Sequence, residues 1–504
     1  MSTPTSFTDL LAQQARIYAD KPFLIDPLSD SSLTFQDFAA AARGVADQLQ
    51  AHGLKRGDRV LLVFPNGAPS ATSFLGVWLA GGVAVPVNPA GAARETAFLR
   101  ENSGAGFVLA ADPGGEIEGK LPGLVLQAKP APGTALYRHT GGEAPGPVPP
   151  GLALILYTSG TTGLPKGVML SEENLLAEAG NICLAHQLTP EDKALCLLPF
   201  YHINGLVVTL LTPLLVGLSV VLPPRFSASR FWDWVSHHRV RWFSAVPTIY
   251  SILLGKPFPR REDISELRFM RSASAALPPA ILAAFEEQVG VPLIESYGIS
   301  EGGSQITSNP LPPLPRKAGS VGIPFGNEIR VLLPDGNPAP QDRVGEVVVR
   351  GANIASGYFA NPQETAKSFR AGWFHTGDLG CFDADGYLFL RGRAKELINR
   401  AGEMISPREI DDVLYLYPEV EMAAAVGVPH PLYGEEIVAF VRLREDRALK
   451  EAELQAFCRE RLSAFKVPRR FYPLVDFPRG PSGKIQRLKL VDTYQRLPEK
   501  ERLP

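Results

Sequence analysis

A chain of 504 residues is longer than one hydrophobic core ordinarily organises, so two or three domains are expected. With 45% apolar and 20% charged residues it has the balance of an ordinary globular protein, which excludes the disordered and fibrous classes. A formal net charge of −2 gives no electrostatic reason to expect nucleic acid or an anionic membrane as partner, so any anion site has to be local.

The first residues, Met1 to Thr5, lack the basic and apolar regions of a signal peptide. Three apolar runs, Val60–Pro65, Val83–Val87 and Gly106–Ala110, read as buried strands separated by amphipathic helical segments. That rhythm predicts parallel α/β layers. Residues 113–150, rich in Gly and Pro, read as an irregular surface excursion. The stretch from Gly205 to Leu222 has the length and apolarity of a membrane span. Pro213 and Gly217 interrupt it, and a buried helix followed by a core strand is the expectation. After Gly319 alternating patterns such as Gly345–Arg350 predict a β-rich subdomain. A boundary falls at Gly392–Lys395, giving domains 1–393 and 394–504, the latter about 110 residues with its own helix and strand pattern. Cys183, Cys196, Cys381 and Cys458 show no metal or redox spacing and read as free thiols of a reducing cytoplasm. The final Arg502-Leu503-Pro504 is not a peroxisomal address.

The chemistry concentrates at Leu154–Gly167. An apolar strand feeds Thr158, Ser159, Gly160, Thr161, Thr162 and Gly163, and the loop ends in Pro165-Lys166-Gly167. Glycines let backbone amides approach an anion closely, hydroxyls add donors, and Lys166 adds a positive charge. The result is a phosphate cradle, distinct from G-x-x-x-x-G-K-[ST] because Pro165 precedes the Lys and Gly167 follows it. Strands on both sides argue against a flexible linker.

Further along, Pro199–Gly205 sets His202 and Asn204 in an aromatic turn before the apolar helix. Ser272–Pro278, with Ala275 at its centre, is a run of small residues where a flat ring can lie against backbone. In Glu295-Ser296-Tyr297-Gly298-Ile299-Ser300-Glu301, Tyr297 offers an aromatic face for a base, Ser300 a donor for a phosphate, and Glu301 a hard oxygen ligand suited to Mg²⁺. Asp378 in Thr376-Gly377-Asp378 has the chemistry to accept two ribose hydroxyls, with an Asx-type turn as the alternative. No Ser-His-Asp or Cys-His arrangement suggests a covalent nucleophile.

In this order and spacing the motifs resemble the adenylate-forming superfamily of acyl-CoA synthetases, peptide-synthetase adenylation domains and luciferases, over roughly residues 5–490. The resemblance implies a large N-terminal domain and a small mobile C-terminal lid. ATP, Mg²⁺ and CoA are the implied cofactors, and the implied reaction makes an acyl-adenylate and then a thioester. It implies nucleotide binding by the phosphate loop, by Ala275 and by the Glu295–Gly298 segment, ribose binding by Asp378 and Arg393, and a hinge at Lys395. Lys484, in Pro478–Arg487, is implied to bridge the acid and the α-phosphate, and Gly402 to shape the thiol tunnel. His202 is implied at the acyl pocket and adenylate. A carrier-protein acceptor is the rival; a non-catalytic nucleotide-binding protein and a luciferase are weaker ones. Segments such as Arg225–Trp232 and Lys395–Arg400 look like the oxalyl-CoA synthetase branch, yet Asn204 and Ser304, implied with His202 at the acyl pocket, stand where members of that branch commonly carry His. A small or medium monocarboxylate is the broad expectation, with oxalate as the alternative. No nucleic-acid partner is expected, and the protein is expected as a monomer or homodimer.

Overall fold

The computed structural model describes residues 5–111, 115–139, 148–158, 165–444, 447–479 and 485–503. Ser159, Gly160, Thr161, Thr162, Gly163 and Lys484 lie outside the described residues. The chain forms a large α/β N-terminal domain and a smaller C-terminal domain.

Two large sheets and a smaller one build the large domain. The expected strands Arg59–Val63, Val83–Val87 and Phe107–Ala111 pair in parallel at the centre of an eight-stranded sheet. A nine-stranded sheet runs in parallel through Lys193–Cys196, Trp242–Ala245, Phe269–Ser272 and Leu293–Ile299, then turns antiparallel at Ser304–Ser308. Helices fill the space around them. Phe35–Ala51 opens with a capping box in which Thr34 accepts from the Asp37 amide and Asp37 accepts from the Thr34 amide. It packs on Ala68–Leu79 so closely that a Cβ at Gly76 would lie 2.5 Å from Val45 Cβ. Phe35, Phe38, Phe74, Leu206 and Trp242 belong to the core that results.

The apolar stretch folds as expected from its interruptions: a wide helix Asn204–Leu211, a short helix Thr212–Val216 ending at Gly217, and a core strand Ser219–Val221. No helix among the described residues is long and apolar enough to cross a membrane. The surface excursion expected over 113–150 is corrected. Within it lie the helix Gly115–Lys120 and two antiparallel strands, Leu124–Ala131 and Thr134–His139, that extend the eight-stranded sheet. Glycines at 123 and 133, both at positive φ, made the turns conspicuous and hid the strands between them.

The β-rich subdomain is a five-stranded sheet containing Asn327–Leu332, Gly345–Gly351, Trp373–Phe382 and Leu388–Arg393. In the C-terminal domain a second five-stranded sheet, centred on Gly434–Leu443, carries the helices Pro407–Tyr415 and Arg487–Gln495.

Candidate active site

On either side of the cradle expected from sequence the chain forms an antiparallel pair, with Thr158 ending one strand opposite Lys166, which begins the next. Lys166 donates to Glu364 and its ammonium stands 5.4 Å from the centre of the Tyr358 ring. That hydrogen bond holds the Glu364 carboxyl below the usual carboxylate range. Glu364 is fixed by its helix, Pro362–Ser368, whose cap residue Asn361 accepts from the Glu364 amide. The Tyr358 hydroxyl donates to Glu301 Oε1 at 2.7 Å. Lys166, Tyr358 and Glu301 therefore form one contact chain beside the cradle. Ser300 and Glu301 occupy a tight 3-10 turn, and the Glu301 carbonyl accepts from the Ala355 amide at 2.7 Å.

The second group is Tyr297, Asp378 and Arg393. Asp378 and Arg393 face each other on paired strands, and Arg393 Nε donates to Asp378 Oδ1 at 2.9 Å. Tyr297 donates its hydroxyl to Asp378 Oδ2 at 2.5 Å. Burial, reinforced by the adjacent carboxylate, pushes the Tyr297 hydroxyl far up, so it stays a donor. Thr376 orients the loop by accepting from the Asp378 amide at 2.9 Å and donating to the Val347 carbonyl at 2.7 Å. The Tyr297 ring is only 8% exposed and packs with Ile306, Val321 and Val347, so much of the face expected to meet a base is occupied by the core. Gly298 is required where it stands: a Cβ there would lie 1.6 Å from the Ser304 carbonyl oxygen.

Glu295 lies on the same strand, buried, accepting from the Leu277 amide at 3.1 Å and 3.8 Å from an Arg408 Nη of the C-terminal domain. Burial outweighs that arginine and pushes its carboxyl up to about 7. Its Oε2 has no hydrogen-bond partner among the described residues. The Ser296 hydroxyl pairs with that of Ser308 across the strands at 2.9 Å.

A third group surrounds the segment of small residues. Ala275 is exposed, and Ser274, at φ +73°, is half-buried. Asn204 Nδ2 donates to Ser274 Oγ at 3.1 Å, so the structure joins two segments that are far apart in sequence. His202 lies in the turn just before, its ring 4.7 Å from that of Tyr201. Ser304 is buried on the strand next to Tyr297's. Under these residues runs a polar layer of Glu178, His186, Ser244, Arg271 and Gln305 that the sequence reading missed. Arg271 stands in the run Phe269-Met270-Arg271-Ser272, and a charged residue at the heart of a buried strand is the signal that could have found it. Tyr358 and Glu364 were missed as well. Their signal was a Gly-Tyr pair followed by Asn361-Pro362, a cap and first helical residue.

Lys395 lies exposed in the turn between Leu388–Arg393 and Ile398–Arg400. Gly402 is exposed at a hairpin tip, where Ala401 and Gly402 take φ +54° and +89°, the pairing a two-residue turn of strand-matching twist requires. The C-terminal domain touches the large one through Ser406, which donates to the Arg391 carbonyl, and through Arg408 on Leu390 and Glu295.

Comparison with known proteins matches the family model for AMP-binding enzymes over residues 11–359 and that for the AMP-binding enzyme C-terminal domain over residues 409–484. A sulfoacetate–CoA ligase of Cupriavidus necator is 43% identical over 495 residues, 96% of this chain and 97% of that one. An oxalate–CoA ligase of Arabidopsis thaliana is 41% identical, covering 89% of this chain and 90% of that one. Among solved structures, the anthranilate CoA ligase AuaEII in complex with anthranoyl-AMP superposes with a TM-score of 0.87 at 27% identity, covering 98% of each chain. The chain belongs to the AMP-binding enzyme family, within the adenylate-forming superfamily. It is an acid–thiol ligase that uses ATP, Mg²⁺ and CoA.

Proposed function

We propose that the acid activated by this AMP-forming acid–CoA ligase is a small carboxylate carrying a second anionic group, of the sulfoacetate or oxalate type. The observation that carries the reading is the polar contact of Asn204, which the family resemblance puts at the acyl pocket, with Ser274. An aliphatic tail offers no acceptor to the Ser274 hydroxyl, whose oxygen already accepts from Asn204, whereas a sulfonate or carboxylate does. The sulfoacetate–CoA ligase and oxalate–CoA ligase relatives support the same direction.

In the first half-reaction a carboxylate oxygen bonds to the α-phosphorus of ATP as the bond to the pyrophosphate oxygen breaks. This chain's task there is to position the reactants and neutralise charge. Asp378, fixed by Tyr297 and Arg393, would hold the ribose hydroxyls, with Arg393 also facing phosphate. Lys166 would exchange Glu364 for phosphate oxygens, and Ser300 would donate to the α-phosphate. Glu301 fits a Mg²⁺ ligand: it is a hard carboxylate, its orientation fixed through Oε1 by Tyr358, next to the Lys166 side. Bound there, the ion would supply positive charge to the phosphate oxygens. Lys484 is assigned to the acid and α-phosphate, and His202 to the pocket wall. In the second half-reaction the CoA thiolate attacks the acyl carbon and AMP leaves. The lid, taken as residues 394–504, turns at Lys395 and presents the Gly402 hairpin. The reading places the enzyme in the cytoplasm, with ATP and CoA.

Mass analysis of products from ATP, Mg²⁺, CoA and a panel of sulfoacetate, oxalate, malonate, acetate, butyrate and benzoate tests the reading. Thioesters of the doubly charged acids are expected to dominate. Thioesters of the singly charged acids alone would overturn it.

A further inference from the structure

The polar layer beneath Asn204 holds four ionisable side chains in a region closed to water: Glu178, His186, Tyr250 and Arg271. Burial works against the charged form of three of them. Burial pushes the Glu178 carboxyl well above its usual range, although the Gln305 amide and Asn353 donate to it. Burial, and then the charge of Arg271, pull His186 down to about 3. Burial also raises the Tyr250 hydroxyl, which donates to the Arg271 carbonyl at 2.8 Å. Arg271 itself is lowered only to about 10 and keeps its charge. It is 1% exposed, and the nearby Glu178 raises it against the effect of burial, although among the described residues no carboxylate lies within ion-pair distance of it. Its acceptors are neutral: Ser244 Oγ at 2.8 Å, Asn204 Oδ1 at 3.3 Å, and Gln305 Oε1 at 3.2 and 3.3 Å.

A buried cation whose hydrogen-bond acceptors are all neutral bears a desolvation cost that no direct ion pair offsets. The hydrogen bonds around this one have a direction. Guanidinium groups only donate, so Asn204 must turn its amide oxygen toward Arg271. Ser244 also donates to that oxygen, at 3.1 Å. The Asn204 amide nitrogen therefore faces away, and it donates to Ser274 Oγ. Having accepted there, the half-exposed Ser274 hydroxyl has its own hydrogen left to donate outward. Each link polarises the next in a region of low dielectric. The left-handed φ of Ser274, uncommon for a serine, holds the last donor of the chain in place.

We propose that Arg271 is the buried counter-charge for the second anionic group of the acid, transmitted to it through Asn204 and Ser274. The inference rests on the reading that these two residues border the acid. Arg271 is a positioning residue: two hydrogen bonds separate it from the half-exposed Ser274, and it acts through the amide it orients. A singly charged acid, whose carboxylate is consumed at the α-phosphate, gains little from this field. An acid with a second carboxylate or a sulfonate gains it in full.

The most direct test is Asn204→Asp, which places a carboxylate of nearly the same shape against the guanidinium. It cancels the field while supplying the missing ion pair, so the melting temperature is expected to hold or rise. The ratio of kcat/KM for sulfoacetate to that for acetate is expected to fall at least tenfold, mainly through KM, with the KM for ATP changing less than twofold. Arg271→Met serves as the second variant and is expected to move the ratio in the same direction, with Arg271→Lys restoring part of it. An unchanged ratio in Asn204→Asp and Arg271→Met would overturn the inference while leaving the function reading intact. A wild-type enzyme that itself prefers acetate would overturn both.

Discussion

Glu295 joins a buried carboxyl group, pushed up to about 7, to an arginine of the other domain. Its consequence for stability has a definite sign. The folded protein holds the proton more tightly than the unfolded chain, whose glutamates titrate near 4.5. The stabilisation is therefore complete below about pH 4.5 and is lost as pH rises toward 7, a swing on the order of 3 kcal/mol. Glu295→Gln removes it. The melting temperature of the variant relative to wild type is predicted to climb between pH 5 and pH 8 and then level off; a constant difference would contradict the assignment. Asp378 belongs to the same scale. Asp378→Asn removes the charge that engages Arg393 and Tyr297 together. It is predicted to raise the KM for ATP by about 10- to 100-fold, read from initial rates at saturating acid and CoA. A KM within twofold of wild type would exclude ribose contact.

Among the elements, the strand pair Leu293–Ile299 and Ser304–Ser308 carries the most site residues for its length, and its register depends on Gly298. Gly298→Ala forces a methyl group into the Ser304 carbonyl and is predicted to destabilise the large domain by about 3 kcal/mol or more, measured as a drop in its thermal midpoint. The turn at Lys395 is the other decisive element. A proline fixes its own φ and restricts the residue before it. Lys395→Pro is thus predicted to keep acid-dependent pyrophosphate release and lose at least about tenfold in thioester formation. Equal losses in both half-reactions would place the hinge elsewhere. Sequence was a good guide to elements whose signal is local. The parallel strands at 60, 83 and 107 were apolar runs between amphipathic helices, and the broken apolar stretch announced a helix and strand. The strands Leu124–Ala131 and Thr134–His139 were obscured because glycines mark the turns beside them and the edge strand, with Val125 and Leu126 both exposed, lacks a clean alternation.

For the whole molecule, the order of motifs along the chain sufficed to read the family, since each is a short local segment even though they fall in three different sheets. What could not be read was which distant residues close the site. Tyr358 and Glu364 come to Lys166 from nearly two hundred positions away, and Arg271 reaches Asn204 from the neighbouring strand system. Those contacts depend on sheet order, which a motif does not encode. They also bear on the acid, because Asn204 taken alone looks like a weakened histidine position and Asn204 backed by Arg271 does not. The account's central claim is that the acid is adenylated before CoA takes part. Isotope exchange between pyrophosphate and ATP, run without CoA, measures that step alone. Exchange that depends on sulfoacetate or oxalate is the predicted result; exchange that is absent until CoA is added would contradict the account.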